Sequence, residues 1–306
     1  MDSTLLCLMF RQQAALLIDL LLTFDFQYVS VFLVEFKFKE FNSTNLIQMS
    51  TSLKYNLTRD QVPKWLQFPH LTTQYRHGGN YWSCCKSLFA WHSETINAWT
   101  MICGNIFSFA ALLYVLNIDQ PSNINKIPFI TFWLSAALHA PFSIGYHLFM
   151  PISESTCNTW RKLDISFIYI TTFLLTFSLS YFTMPLCLTI LFTTTSTAVA
   201  TYALSKNFNN VLHRSLNVKL VGCNMIIYMM PMILTGRFLP VLASLAIGGF
   251  VYANCIPECY SHGTFDLVGR SHQIMHVCII IAHVYEFWFI REAYLIPFKI
   301  LYKIKI

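Results

Sequence analysis

Charge is what this sequence has least of. Of its 306 residues only 11% are charged, against about a quarter in an average soluble domain. A soluble core of this size has too few polar residues to clothe its surface, so an ordinary cytosolic enzyme is excluded. A disordered chain is excluded too, because 55% of the residues are hydrophobic. Dense basic runs are missing: twenty Lys and Arg are spread along the chain, which leaves no cluster able to track a phosphate backbone. There is no internal repeat and no low-complexity tract. A secretory signal is poorly supported, since no short apolar core is followed by a small-residue cleavage site. A disulfide framework is not indicated by the ten cysteines. Cys103, Cys187, Cys223 and Cys278 sit within apolar runs, where thiols act as small hydrophobes, and Cys84-Cys85 and Cys255-x3-Cys259 lie outside them.

Long apolar runs are abundant. A helical membrane span needs about 20 mainly apolar residues, and seven stretches qualify: 99–118, 127–149, 164–184, 185–205, 217–236, 238–255 and 272–290. The expected fold is therefore all-α, a seven-transmembrane helical bundle. It divides into an N-terminal segment (1–98), the bundle (99–290) and a short tail (291–306). Pro141, Pro231 and Pro240 are tolerable in or near spans. Residues 14–34 are also apolar, but Asp19 and Asp25 interrupt them, each at about 2.5–3.5 kcal/mol on an insertion scale. That stretch is read as peripheral or packed on the bundle.

Lysine and arginine set the orientation. Eleven fall on the side of the N-terminal segment: Lys54, Arg59, Lys64, Arg76 and Lys86 before the first span, then Arg161, Lys162, Lys206, Arg214, Lys219 and Arg270. Six fall opposite: Lys126, Arg237, Arg291, Lys299, Lys303 and Lys305. The bias puts the N-terminal segment in the cytoplasm. The sequons at Asn42 and Asn56 dissent, since glycosylation is luminal. This orientation is opposite to that of a G-protein-coupled receptor. Neither an acidic-Arg-aromatic triplet after the third span nor an Asn-Pro-x-x-Tyr in the seventh is present.

Ionisable residues in spans are rare and mark function. Five of the ten histidines fall in spans: His139, His147, His272, His276 and His283. His272 and His276 share a helix face one turn apart, a spacing suited to two imidazoles on one zinc ion. His147 closes the second span, Asp164 opens the third and His272 opens the seventh, so all reach the same side of the membrane. Three histidines leave a tetrahedral zinc one open position for water. Asp164 would orient that water and take its proton. Ser143, four residues before His147 on the same face, would bond a ligand or polarise a carbonyl. His139 and His283 are read as packed or hydrogen-bonded, and Glu286 as snorkelling at the far end of its span.

These residues resemble the progestin and adipoQ receptors, distant relatives of hemolysin III. The likeness lies in Cys85-Lys86-Ser87-Leu88-Phe89 with Ser93-Glu94-Thr95-Ile96-Asn97-Ala98-Trp99-Thr100, in Ser143-x3-His147 with Lys162-Leu163-Asp164, and in Ser271-His272-Gln273-Ile274-Met275-His276. It covers roughly residues 63–290. The resemblance implies a seven-helix bundle with a cytoplasmic N-terminus and zinc (Zn2+) on His147, His272 and His276, with Asp164 holding the water. It implies a membrane receptor at the plasma membrane, with Golgi or ER as the alternative, for a lipid, steroid or protein hormone. Hydrolysis of a ceramide-like amide is one activity it suggests. A non-catalytic sensor or a membrane anchor with structural zinc is the other reading. The sequence departs from the family pattern at Met101, Ile165, Phe167 and Arg270.

Overall fold

A computed structural model describes residues 52–209 and 214–296. The apolar stretch 14–34, Asn42 and the basic tail beyond Ile296 lie outside the described residues. Two short strands, β1 (Lys54–Leu57) and β2 (Tyr75–His77), pair antiparallel. A short helix α1 (Tyr81–Lys86) follows, capped by the Asn80 side chain. The bundle is then built from α2 (Thr95–Tyr114), α3 (Ile127–Phe149), α4 (Glu154–Tyr181), α5 (Leu186–Asn209), α6 (Arg214–Thr235), α7 (Leu239–Ala253) and α8 (Ser271–Leu295).

Among the described residues, five helical stretches are long and apolar enough to cross a membrane: Thr95–Asp119, Asn123–Phe149, Glu154–Tyr181, Leu186–Asn207 and Ser271–Leu295. Lys219–Thr235 and Leu239–Ala253 are apolar but shorter. At 1.5 Å per residue, the 15 residues of α7 reach about 22 Å, short of a bilayer core of roughly 30 Å. All seven expected spans thus correspond to apolar helices, and the chain is an integral membrane protein. Pro141 and Pro231 lie inside α3 and α6, while Pro240 sits in the first turn of α7, where its missing N–H has no helical partner to lose.

α4 departs from the expected bounds. It begins at Glu154, ten residues before Asp164, because Ser153 accepts a hydrogen bond from the Thr156 N–H and caps a polar first turn. Hydropathy registers only the part of a helix that meets lipid, so this extension is invisible to it. α4 is also the most enclosed of the five long spans, with 72% of its apolar window buried. Its serines and threonines satisfy themselves against the preceding turn: Thr176, Ser178 and Ser180 donate to the carbonyls of Thr172, Leu174 and Thr176 respectively. Others join helices, as in Thr131–Ser178 and Ser196–Asn224, each at 2.7 Å.

The polar N-terminal stretch folds as a cap on the bundle. Val62, Leu66, Leu71 and Tyr75 form a small core with Met150 and Cys157 at the α3–α4 turn. The α7–α8 loop clamps the same cap. Asp266, buried, accepts from the N–H and Oγ1 of both Thr72 and Thr73 at 2.7–3.3 Å.

Candidate metal centre

Beneath the cap, the last turns of α3 meet the first turns of α8. α8 is held at its start by several groups. The Gln273 side chain accepts from the N–H groups of Gly269 and Arg270 at 2.7 and 3.3 Å. Glu258 accepts from the Ser271 N–H at 2.8 Å and from its hydroxyl. With that turn fixed, His272 and His276 face inward and meet His147. The ring centroids are 5.1 Å apart for His147–His272, 5.4 Å for His147–His276 and 4.7 Å for His272–His276. One nitrogen from each ring lies within 4.8 Å of the others. His147 and His276 are buried and His272 is partly so.

The outer nitrogens of two rings are held by neighbours. His147 Nδ1 is 2.8 Å from Glu94 Oε2. A carboxylate only accepts, so Nδ1 carries the proton and the Nε2 lone pair is left for the centre. That Nε2 is buried with no hydrogen-bond partner among the described residues. His276 Nδ1 is 2.8 Å from Thr100 Oγ1. The Thr100 hydroxyl proton is already given to the Asn97 carbonyl at 2.8 Å, so Thr100 accepts from Nδ1 and the Nε2 of His276 is freed in the same way. A carboxylate or hydroxyl behind a ligating imidazole fixes its tautomer and orientation.

Glu94 is the electrostatic hub. Arg270 donates to its Oε1 and the Asn97 amide to its Oε2, both at 2.7 Å. Burial alone would raise the Glu94 carboxyl, but the Arg270 guanidinium and the His147 hydrogen bond hold it well below the usual carboxylate range. Arg76 donates to the His147 carbonyl at 2.9 Å and to Ser87, and burial pushes its guanidinium down to about 10. Beside them, burial and the Arg76 charge push the His92 imidazole down to about 3. Its Nδ1 accepts from the Glu94 N–H and its Nε2–H donates to the Ser87 carbonyl, both at 3.1 Å.

Asp164 is not one of the three converging groups, but it lies within electrostatic reach of His147 and His276. Its Oδ1 is 3.0 Å from His139 Nε2, and the Ser143 side chain also bonds its carboxylate. Along α3, Ser143 is about one turn and His139 about two turns deeper than His147, so Asp164 sits on the bundle side of the triad. Among the described residues, the cluster of possible ligands comprises the three histidines alone. His139, read from sequence as packed or hydrogen-bonded, is the partner of Asp164. Glu286 does not snorkel: it is 1% exposed, bonded to His283 and Tyr228 inside the bundle. Hydropathy gives its depth but not its rotation about the helix.

Sequence reasoning assigns no role to Glu94, Arg270, Arg76 or Thr100. Glu94 stands within a recognised motif and Arg270 is visible as a departure, but their pairing spans 176 residues, and no local signal encodes it. Three imidazoles converge in a buried site, and the outer nitrogens of two of them are already engaged. Such a set suits a divalent transition metal with one position left open.

A sequence profile of haemolysin-III related proteins matches residues 89–287. An uncharacterised protein of Schizosaccharomyces pombe is 29% identical over 76% of this chain and 58% of its own length. Progestin and adipoQ receptor-like protein 1 of Caenorhabditis elegans is 25% identical over 78% of this chain and 60% of its own. Membrane progestin receptor gamma-A of Danio rerio is 26% identical, covering 75% and 79%. The chain thus spans about three fifths of the first two relatives.

Proposed function

The chain belongs to the haemolysin-III related family, and on that premise we propose that it is a receptor-type membrane protein with zinc on His147, His272 and His276 that hydrolyses the amide of a ceramide-like lipid. The observation that carries this is the buried, partnerless Nε2 of His147 facing two further imidazoles. A buried nitrogen left unbonded costs about 1–3 kcal/mol, and a cation among the three rings removes that cost. Zinc supplies Lewis acidity at the carbonyl and a nucleophile at neutral pH.

The chain's own residues do the rest. Glu94 and Thr100 fix the tautomers of His147 and His276 and aim their Nε2 atoms at the centre. Asp164, steered by His139 and Ser143, is the acid–base group that accepts a proton and returns it to the leaving amine. The cap shields the polar end from bulk water, and the apolar helices admit the acyl chain from the bilayer. The Lys and Arg bias supports a cytoplasmic N-terminal segment, hence a site near the inner leaflet of the plasma membrane.

Metal analysis comes first: wild type should hold one zinc per chain, and His276→Ala should lose it together with thermal stability. Unchanged zinc in that variant would sink the proposal. Fatty acid release is then followed for wild type and Asp164→Asn. The variant should keep its zinc while turnover falls by about 10²–10⁴. Release by neither, with zinc present, would identify a sensor of lipid or steroid rather than an enzyme, in keeping with the progestin named for one relative.

A further inference from the structure

A second polar cluster lies in the other half of the bundle. Glu286 on α8 is 1% exposed and surrounded by the apolar core that includes Ala282, Phe287 and Ile290. Its Oε2 is 2.5 Å from His283 Nδ1, and the Tyr228 hydroxyl of α6 bonds the same carboxyl. An ionisable pair at this depth in an apolar bundle is costly to insert; the Tyr228 bond ties α8 to α6 through Glu286, but it gives no structural task to the His283 Nε2.

Its placement relates it to the metal centre. His272, His276, Ile279, His283 and Glu286 follow one another at steps of four and three residues, so they form one stripe along a single face of α8. The stripe is not sealed between its two polar ends: Ile279 is 36% exposed although it lies between His276 and His283. His283 keeps 15% of its side chain exposed. Its Nδ1 is taken by Glu286, and its Nε2 has no hydrogen-bond partner among the described residues. Seven residues separate His276 from His283, about 10 Å along the helix.

We infer that His283, backed by Glu286 and Tyr228, is a second binding station that recognises a hydroxyl group in the middle of a lipid chain whose polar head lies at the histidine triad. A hydroxyl is the group that fits because it both donates and accepts. With neutral His283, Nδ1–H donates to Glu286 and Nε2 accepts from the ligand. With one further proton on the His283–Glu286 pair, Nε2–H donates to the ligand oxygen while the Nδ1–Glu286 hydrogen bond is kept. A carbonyl serves only the second state. An extended chain covers the distance between the stations in about eight carbon–carbon bonds, which places the hydroxyl near the tenth carbon of a fatty acyl group.

The inference rests on the reading that the bundle interior holds a lipid chain, and a binding measurement separates the two. Tritiated stearic acid and its 10-hydroxy analogue are bound to the zinc-loaded full chain in lipid nanodiscs. The hydroxy acid should bind about tenfold more tightly to wild type, the order expected for one buried hydrogen bond. His283→Phe should remove that preference and leave stearate binding unchanged, while His283→Gln, which keeps a hydrogen-bonding atom at similar reach, should retain most of it. Equal binding of the two acids by wild type overturns the inference without any variant having to fold, and leaves the lipid-chain reading intact. A preference that survives His283→Phe overturns it as well. Binding of neither acid overturns both.

Discussion

At the scale of single residues, Glu94 decides most. It holds His147 in one tautomer and neutralises Arg270, two duties that substitution can separate. Glu94→Gln should weaken zinc binding by about 10–100-fold, the usual worth of a group behind a metal ligand. It should also destabilise the fold by about 3–5 kcal/mol, because Arg270 is left as an uncompensated buried charge. Adding Arg270→Met should recover stability but not zinc affinity. Chelator competition and thermal unfolding read the two effects separately, and recovery of both together would contradict the assignment. His92 gives a pH dependence of its own. Unfolded, it binds a proton near 6.5; folded, it refuses one until about 3. Its contribution to stability is therefore complete above pH 6.5 and lost progressively as pH falls towards 3. Unfolding of His92→Gln should depend less steeply on pH across that window. The three histidines themselves are legible because a four-residue step on one helix is a local signal. Glu94 is not, because its partners lie 53 and 176 residues away.

At the scale of elements, the contact between α3 and α4 sets the position of His147. Gly145 lies against the ring of Trp160, and a methyl group there would overlap it. Gly145→Ala should cost about 1–3 kcal/mol through overpacking, and zinc affinity should fall with it because His147 is only two residues further on. A loss of stability at unchanged affinity would mean that α3 yields elsewhere. The seven apolar helices are readable from hydropathy, but rotation about each axis is not. Glu286 illustrates the gap: its depth suggests an escape to the interface, whereas its phase turns it inward beside His283. The polar start of α4 escapes notice for a different reason, since a helix that leaves the lipid is stabilised by its cap and has no apolar periodicity to reveal it.

At the scale of the whole molecule, topology and assembly come together. Two of the eleven arginines and lysines on the N-terminal side, Arg76 and Arg270, are buried in the network around Glu94, and the remaining bias still favours a cytoplasmic cap. Asn56, in the exposed strand β1, should then carry no glycan. A glycosidase-sensitive mass shift abolished by Asn56→Gln would invert the topology and move the metal centre to the other leaflet. The division of the triad between α3 and α8 has a further consequence for how the protein is made. His147 enters the membrane with the second of seven apolar helices, whereas His272 and His276 arrive with the last. At about 5–20 residues per second of synthesis, several seconds pass in which one ligand waits without the other two. During that interval Glu94, already translated, can hold the imidazole and discourage premature capture of a stray ion. On the proposed zinc reading, loading is a late event in biogenesis, and a nascent chain stalled before α8 should emerge from the ribosome with no tightly bound metal.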